Sequence, residues 1–190
     1  KNISGMGGVR LSYALDLWLE LAEKYSPALN ALINIRNKNR EMLLQGEGNF
    51  EYFHDLTAIN NSLKETDDTF QVFLNLHNNF PKQAENYYHV VEELIVQNKA
   101  YEICAHYISD PIKKYFQIQK MHEMNLRVIA NDPSMDTEDF NFYLKESYVN
   151  KVCQLIEILV GLEKATVATE IQKLALEHYY DYRIRDSKCS

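Results

Sequence analysis

Glycine is scarce in this chain, and its prolines fall where helices could begin. After residue 8 only Gly46, Gly48 and Gly161 remain, whereas strands joined by hairpins depend on glycine for their turns. Proline is tolerated in the first turn of a helix but is damaging further in. The sequence therefore favours long helices, with starts indicated at the four prolines: Pro27, Pro81, Pro111 and Pro133.

Apolar residues at spacings of three and four predict about nine helices. The first is expected from Val9 to Tyr25, the third from Phe50 to Lys64 and the last from about Lys164 to Tyr180. Turns are expected where polar residues and glycine interrupt the pattern. These breaks are Gly46–Asn49, Asn98–Lys99, Asn131–Ser134 and Gly161.

Capping residues support three of the helix starts. Ser26 and Asp110 each stand directly before a proline, and Thr66 precedes two aspartates that give an acidic first turn. Such side chains can accept a hydrogen bond from the free backbone N–H groups of a first turn. We therefore expect caps at these three positions.

The length of 190 residues and the hydrophobic content of 46% suit one domain with a sizeable core. We expect a flexible segment over residues 1–8, a single all-helical domain over residues 9–182 and a tail over residues 183–190. The mixed aromatic and basic run Tyr179–Arg185 is interpreted as a polar last turn that frays into this tail.

The formal charge of −7 argues against binding to nucleic acid or to an anionic membrane, because both affinities depend on Lys and Arg. No apolar run approaches the roughly 20 residues that cross a bilayer. The three cysteines are widely spaced and odd in number, which suggests neither a disulfide framework nor a metal site. The expectation is a soluble cytoplasmic protein.

Two short patterns are similar to the helices of tetratricopeptide-repeat proteins. Trp18-x2-Leu21-Ala22-x2-Tyr25 resembles the first-helix pattern, with Ala22 in place of glycine. Ala168 and Ala175 are similar to the small residues of the second helix. The resemblance implies an all-α fold of antiparallel helical hairpins, stacked as a short right-handed superhelix that binds peptides or protein segments on its concave side.

Glu51 and His54 are three residues apart on one helix, a spacing that can bind a metal when a second copy is present. No second Glu-x-x-His occurs, and His89 and His106 each follow a glutamate by four residues, as in ordinary intrahelical contacts. We therefore predict no metal and no cofactor. The alternative is a helical-bundle metalloprotein or enzyme that uses Glu51, His54 and the neighbouring histidines.

The third helix predicts one apolar face and one polar face. Asn60 falls at the edge of the apolar face, where a buried structural role is favoured over a ligand contact. His54, Ala58 and Asn61 fall on the other face, which is interpreted either as a groove wall for a partner or as a solvated surface.

Arg36 and Arg40 lie one helical turn apart in the densest basic stretch. Together they could grip a carboxylate or phosphate of a partner. An acidic neighbour on another helix would instead satisfy Arg36 within the fold. Both interpretations stay open from the sequence.

No nucleophile elbow, phosphate-binding glycine loop or zinc-protease motif occurs, so no enzyme is predicted. We expect a non-catalytic helical-repeat scaffold or adaptor for a protein or peptide, with a homo-oligomer left open. The negative charge favours a basic partner through steering. The candidate partner-binding residues are Arg36, Arg40, His54, Ala58 and Asn61.

Overall fold

The computed structural model describes residues 13–187, apart from the side chains of Tyr13 and Pro133. Ten α-helices and one 3-10 turn occupy this part of the chain, which contains no strand. The all-α prediction is therefore confirmed. The segment predicted to be flexible, residues 1–8, the predicted helix start at Val9 and the tail residues 188–190 lie outside the described residues.

The helices follow one another with short connections. They are α1 Tyr13–Lys24, α2 Ser26–Leu44, α3 Phe50–Leu63, α4 Thr66–Asn79, α5 Pro81–Gln97, α6 Tyr101–Tyr107, α7 Pro111–Asn131, α8 Glu138–Gly161, α9 Ala165–His178 and α10 Tyr182–Asp186, with the 3-10 turn at Pro133–Met135. No described helix is long and apolar enough to cross a membrane.

The chain divides into two compact units, and the division falls after Leu94, within α5. We call residues up to Leu94 the N-terminal unit and residues from Ile95 the C-terminal unit. The prediction of one domain over residues 9–182 stays a prediction, as does the right-handed superhelix. What is established is that consecutive helices pack against each other within each unit.

In the N-terminal unit, α2 packs against α1, α3 and α4. Leu15, Leu32 and Ile59 bring three of these helices into one apolar cluster. The indole N–H of Trp18 donates to the Ala28 carbonyl across 3.0 Å, which ties α1 to the first turn of α2. Trp18 is therefore structural.

In the C-terminal unit, α8 is the central helix and packs against α6, α7, α9 and α10. Ala168 and Ala175 on α9 are fully buried, so their small side chains allow a close approach. Gly161 ends α8 against the ring of Tyr101, where a β-carbon would overlap the ring. The predicted helix end at Gly161 is confirmed.

The capping predictions have mixed outcomes. Asp110 caps α7 as expected, because its carboxylate accepts a hydrogen bond from the Lys113 backbone N–H across 3.0 Å. The predicted caps at Ser26 and Thr66 are wrong: each is already the first helical residue, and the preceding Tyr25 and Glu65 make no side-chain cap. The starts of α2 and α4 were therefore predicted correctly, but Ser26 and Thr66 are the first residues of these helices and not the capping residues before them.

The predicted tail also differs from the structure. Residues 182–186 form α10, whose Ile184 is fully buried. Asp181 caps this helix by accepting from the Arg183 backbone N–H across 2.9 Å. Burial of Ile184 is the physical reason that this short polar stretch is ordered.

Candidate functional site

Helices α2, α3 and α4 share a group of polar side chains that we call the α2–α4 polar cluster. It combines two cations with two carboxylates and two neutral hydrogen-bonding side chains. Its members are Arg36, Arg40, Asn60, Glu65, Asp68 and Thr69.

Asn60 is the buried centre of this cluster. Its amide N–H₂ donates to the Thr69 hydroxyl across 3.0 Å and to the Asp68 carboxylate across 3.2 Å. Its carbonyl oxygen accepts from Arg36 across 3.4 Å. Both the N–H₂ group and the carbonyl oxygen of this buried amide are hydrogen-bonded within the fold. The structural interpretation of Asn60 is therefore confirmed.

Arg36 and Arg40 both pair with carboxylates of this chain. Arg36 forms an ion pair with Glu65, and the Nε of Arg40 donates to Asp68 across 2.8 Å. Of the two interpretations left open for Arg36, the internal one describes this arrangement. A role of the two arginines in binding a partner stays a prediction.

The outer side of the α2–α4 polar cluster lines an open depression of about 420 Å³. Its rim carries the cations Arg36 and Arg40 together with the carboxylates of Glu41, Glu65 and Asp68. Since the cations are already balanced, the depression offers no excess positive charge to a free phosphate.

The three other candidate residues do not share one open face. Ala58 is partly buried and packs against the Leu15, Leu32 and Ile59 cluster. His54 is half-buried against the ring of Phe50, with 5.4 Å between ring centroids, whereas Asn61 is exposed. The expected groove wall is therefore interrupted at Ala58 by core packing, and partner binding by these residues stays a prediction.

The histidines of the metalloprotein alternative are arranged as ring contacts. His89 stacks on Phe50 with 5.5 Å between ring centroids, and the same Phe50 ring contacts His54. His106 contacts the ring of its neighbour Tyr107. Among the described residues, no group of three or more His, Cys, Asp or Glu side chains could hold a metal.

A histidine pair, with His122 buried and His178 partly buried, joins α7 to α9 in the C-terminal unit. His122 Nδ1 lies 3.0 Å from His178 Nε2, and His122 stacks on Tyr148 with 4.6 Å between ring centroids. Burial, and then the neighbouring His178, lower the pKa of His122 below its usual value. The Glu123 carboxylate lies 4.0 Å from His178 Nδ1, on the side of that ring away from His122.

Two tyrosines continue this buried group. The hydroxyl groups of Tyr115 and Tyr148 are 3.4 Å apart, and Tyr148 donates to the Ala175 carbonyl across 3.4 Å. Burial raises the pKa of both phenols, so both stay protonated. The pair binds α7, α8 and α9 together and has no acid–base role at neutral pH.

An ionic group holds α10 in place. Arg183 makes two parallel hydrogen bonds to Glu146 on α8, of 2.7 and 2.8 Å, and a third of 3.0 Å to Asp181. These bonds with Arg183 lower the pKa of Asp181 to about 2. The planar guanidinium suits such paired recognition, which explains why an arginine stands here.

Burial is the main feature of the two cysteines in the described chain. Cys104 is fully buried on α6, and burial raises the pKa of the Cys153 thiol. A thiol with a raised pKa carries little thiolate at neutral pH. Neither residue is a candidate nucleophile.

The segment from α7 to α8 exposes an unusual amount of apolar surface, which the sequence patterns did not predict. More than half of the exposed large apolar side chains of the described chain lie here: Phe116, Met121, Met124, Leu126, Val128, Met135, Phe142 and Tyr143. The sequence of α7 does contain a sign of this surface. Apolar residues occupy two sides of this helix, although only one side is buried.

Comparison with known proteins finds no matching family model, no matching curated protein and no matching solved structure.

Proposed function

We propose that this chain is a non-catalytic helical scaffold that binds a protein or peptide partner. The observation that carries the proposal is the exposed apolar surface of the α7–α8 segment. Phe142 and Tyr143 on α8 are 66% and 60% exposed, although aromatic rings contribute most when they are buried. Concentrated exposed apolar side chains are typical of surfaces that a partner covers.

The tetratricopeptide-like arrangement and a cytoplasmic location belong to this proposal as well. Packing between consecutive helices and the buried Ala168 and Ala175 support a repeat-type construction. Trp18 behaves as a packing residue, whereas Leu21 and Tyr25 of the same motif are exposed. The support for a repeat is therefore stronger in the packing of α9 than in the motif around Trp18.

A double substitution on α8 tests the proposal. Phe142→Asp with Tyr143→Asp changes two exposed side chains, so the fold should be retained while the apolar surface is lost. The wild-type chain is immobilised on a resin and incubated with extract from its source cells. Mass spectrometry then quantifies the proteins that the resin retains. We expect one or a few proteins to be retained in stoichiometric amounts and to be lost with the double variant.

Leu17→Asp with Leu21→Asp is the matched control, because these side chains on α1 are also about half exposed. This control variant should retain the same proteins as wild type. Equal retention by the α8 variant would contradict the proposal. Light scattering tests for self-association. If the wild-type chain is a dimer and the α8 variant is a monomer, the partner that covers this surface is a second copy of the chain and not another protein.

A further inference from the structure

Three cations form a regular row along the exposed side of α7. Lys113, Lys120 and Arg127 are exposed and stand seven residues apart. Seven residues make nearly two turns of an α-helix, so the three side chains project in almost the same direction. The row is unusual in a chain whose formal charge is −7.

An exposed apolar row runs beside these cations. Met121, Met124 and Val128 are spaced by three and four residues and are 54%, 50% and 45% exposed. The side of α7 that packs into the C-terminal unit is a different one, formed by Tyr115, Ile118 and His122. We call the exposed side, with its apolar row and its cation row, the α7 outer face.

The cations of the α7 outer face are available to a partner. Neither Lys120 nor Arg127 forms an ion pair with a described residue. Glu123 accepts a hydrogen bond from Gln119 across 2.9 Å and lies toward His178. A shallow depression of about 330 Å³ borders the cation row and is lined by Phe116, Gln119, Lys120, Glu123, Met124 and Arg127. It therefore holds two cations and one carboxylate.

We propose that the α7 outer face docks an acidic amphipathic helix from another protein. The apolar row has the spacing of three and four residues that is found where two helices pack together. The cation row lies beside it, at the flanking position where charged residues select a partner helix of opposite charge. A partner helix that brings apolar residues to the seam and carboxylates to its flank would neutralise Lys120 and Arg127. This inference rests on the proposed function and adds the chemistry of the partner.

A second copy of this chain is a poor occupant of the same face. In an antiparallel pair the cation row would face its own copy, and like charges at flanking positions oppose pairing. In a parallel pair the row would face Asn125, which carries no negative charge, because Ile118 at the equivalent position is buried in the C-terminal unit. Nucleic acid would meet the cations but would leave the methionine row without an apolar contact.

Local charge and net charge act over different distances. The net charge of −7 favours the approach of a basic partner over long range. Contact between two surfaces depends instead on the charges that meet. On α7 the cation row Lys113, Lys120 and Arg127 outnumbers the helix's single carboxylate, that of Glu123.

The test uses two synthetic helical peptides with the full chain. Both peptides carry leucine at the seam positions; one carries glutamate at the flanking positions and the other carries lysine. Fluorescence anisotropy of labelled peptide measures each dissociation constant at low and high salt. We expect the glutamate peptide to bind about tenfold more tightly than the lysine peptide, with a smaller difference at high salt.

A charge-reversal variant gives the sharpest result. Lys120→Glu with Arg127→Glu alters two exposed residues and should reverse the preference toward the lysine peptide. Met121→Gln with Met124→Gln should weaken both peptides, because the seam loses its apolar contacts. Circular dichroism checks that each variant remains helical. Lys38→Glu with Lys82→Glu also reverses two exposed cations, on α2 and α5, and is the matched control for a change of charge alone.

Equal binding of both peptides, or an unchanged preference after charge reversal, would overturn the inference. Tighter binding to a single-stranded oligonucleotide than to the glutamate peptide would also overturn it, as would a dimer that Met121→Gln with Met124→Gln dissociates. If the peptides fail while the α8 variant still loses its partner from extract, the scaffold function stands and only the acidic-helix chemistry is wrong.

Discussion

Single polar side chains hold the N-terminal unit together where three helices meet. Asn60 is fully buried and has hydrogen-bond partners on α2 and α4. The position of Asn60 at the edge of an apolar stripe was enough to predict a structural role. Its partners were not predictable, because Arg36 and Thr69 reach it through the fold and not through local spacing.

We expect Asn60→Leu to destabilise the protein by about 1–3 kcal/mol, because Thr69 and Asp68 lose a buried donor while the side-chain volume is kept. Urea denaturation measures the change in the free energy of unfolding. Asn61→Leu is the matched control, since Asn61 is the exposed neighbour on the same helix. A similar loss in both variants would show that Asn60 has no special structural role.

At the scale of helices, about nine were predicted from the sequence, and α10 was not among them. Scarce glycine, apolar spacing and three of the prolines indicated the long helices. The helix start expected at Pro133 is wrong, because Pro133 begins the 3-10 turn and α8 begins at Glu138. Residues 182–186 are too few to show a period, and their order depends on the distant Glu146 and on burial of Ile184. The pairing of Arg36 and Arg40 was open for the same reason: their carboxylates lie 29 and 28 residues away.

The anchoring of α10 by Arg183 predicts a local effect. Arg183→Met leaves the carboxylates of Glu146 and Asp181 without their main cation, so α10 should detach from α8. Amide hydrogen exchange at residues 182–186 should then rise at least tenfold, while α7 and α8 change little. Arg185→Met removes an exposed ion pair with Asp186 and an exposed hydrogen bond to the Tyr180 hydroxyl, neither of which reaches α8, so exchange should stay near that of wild type.

The contact between α7 and α9 should depend on pH. The lowered pKa of His122 means that the unfolded chain takes up a proton below about pH 6.5 more readily than the folded chain does. This contribution to stability is complete above that pH and is lost as the pH falls. Between about pH 8 and about pH 6 we expect a loss of at most about 1 kcal/mol from this group.

Urea denaturation at the two pH values measures this loss, and His122→Phe should reduce it while keeping a ring against Tyr148. The groups in contact with the pair are Glu123, Tyr148 and Tyr179. Asp181 titrates far lower, with a pKa of about 2, and does not contribute in this range. His89→Phe is the control, and an equal reduction there would contradict the assignment to His122.

At the scale of the whole molecule, charge and exposed apolar surface act against each other. The net charge of −7 keeps copies apart at neutral pH, and this repulsion vanishes near the isoelectric point of about 5.4. The apolar surface of the α7–α8 segment is exposed at either pH. The balance of charges was readable from composition, but the location of the exposed apolar surface required the folded chain.

We therefore expect reversible self-association near pH 5.4 that is absent at pH 8. Dynamic light scattering at equal protein concentration measures it. Phe142→Asp with Tyr143→Asp removes apolar surface but also lowers the isoelectric point, so Phe142→Ser with Tyr143→Ser is the better variant and should reduce the association. Unchanged association in the serine variant would place the contact elsewhere on the surface.

The single tryptophan gives the N-terminal unit an optical signal of its own. Trp18 is tied to Ala28 and packs beside the Leu15, Leu32 and Ile59 cluster, whereas residues from Ile95 onward contain tyrosine but no tryptophan. Its emission spectrum will shift when α1 leaves α2. Tryptophan fluorescence compared with far-ultraviolet circular dichroism therefore shows directly whether the two units melt in one step or in sequence.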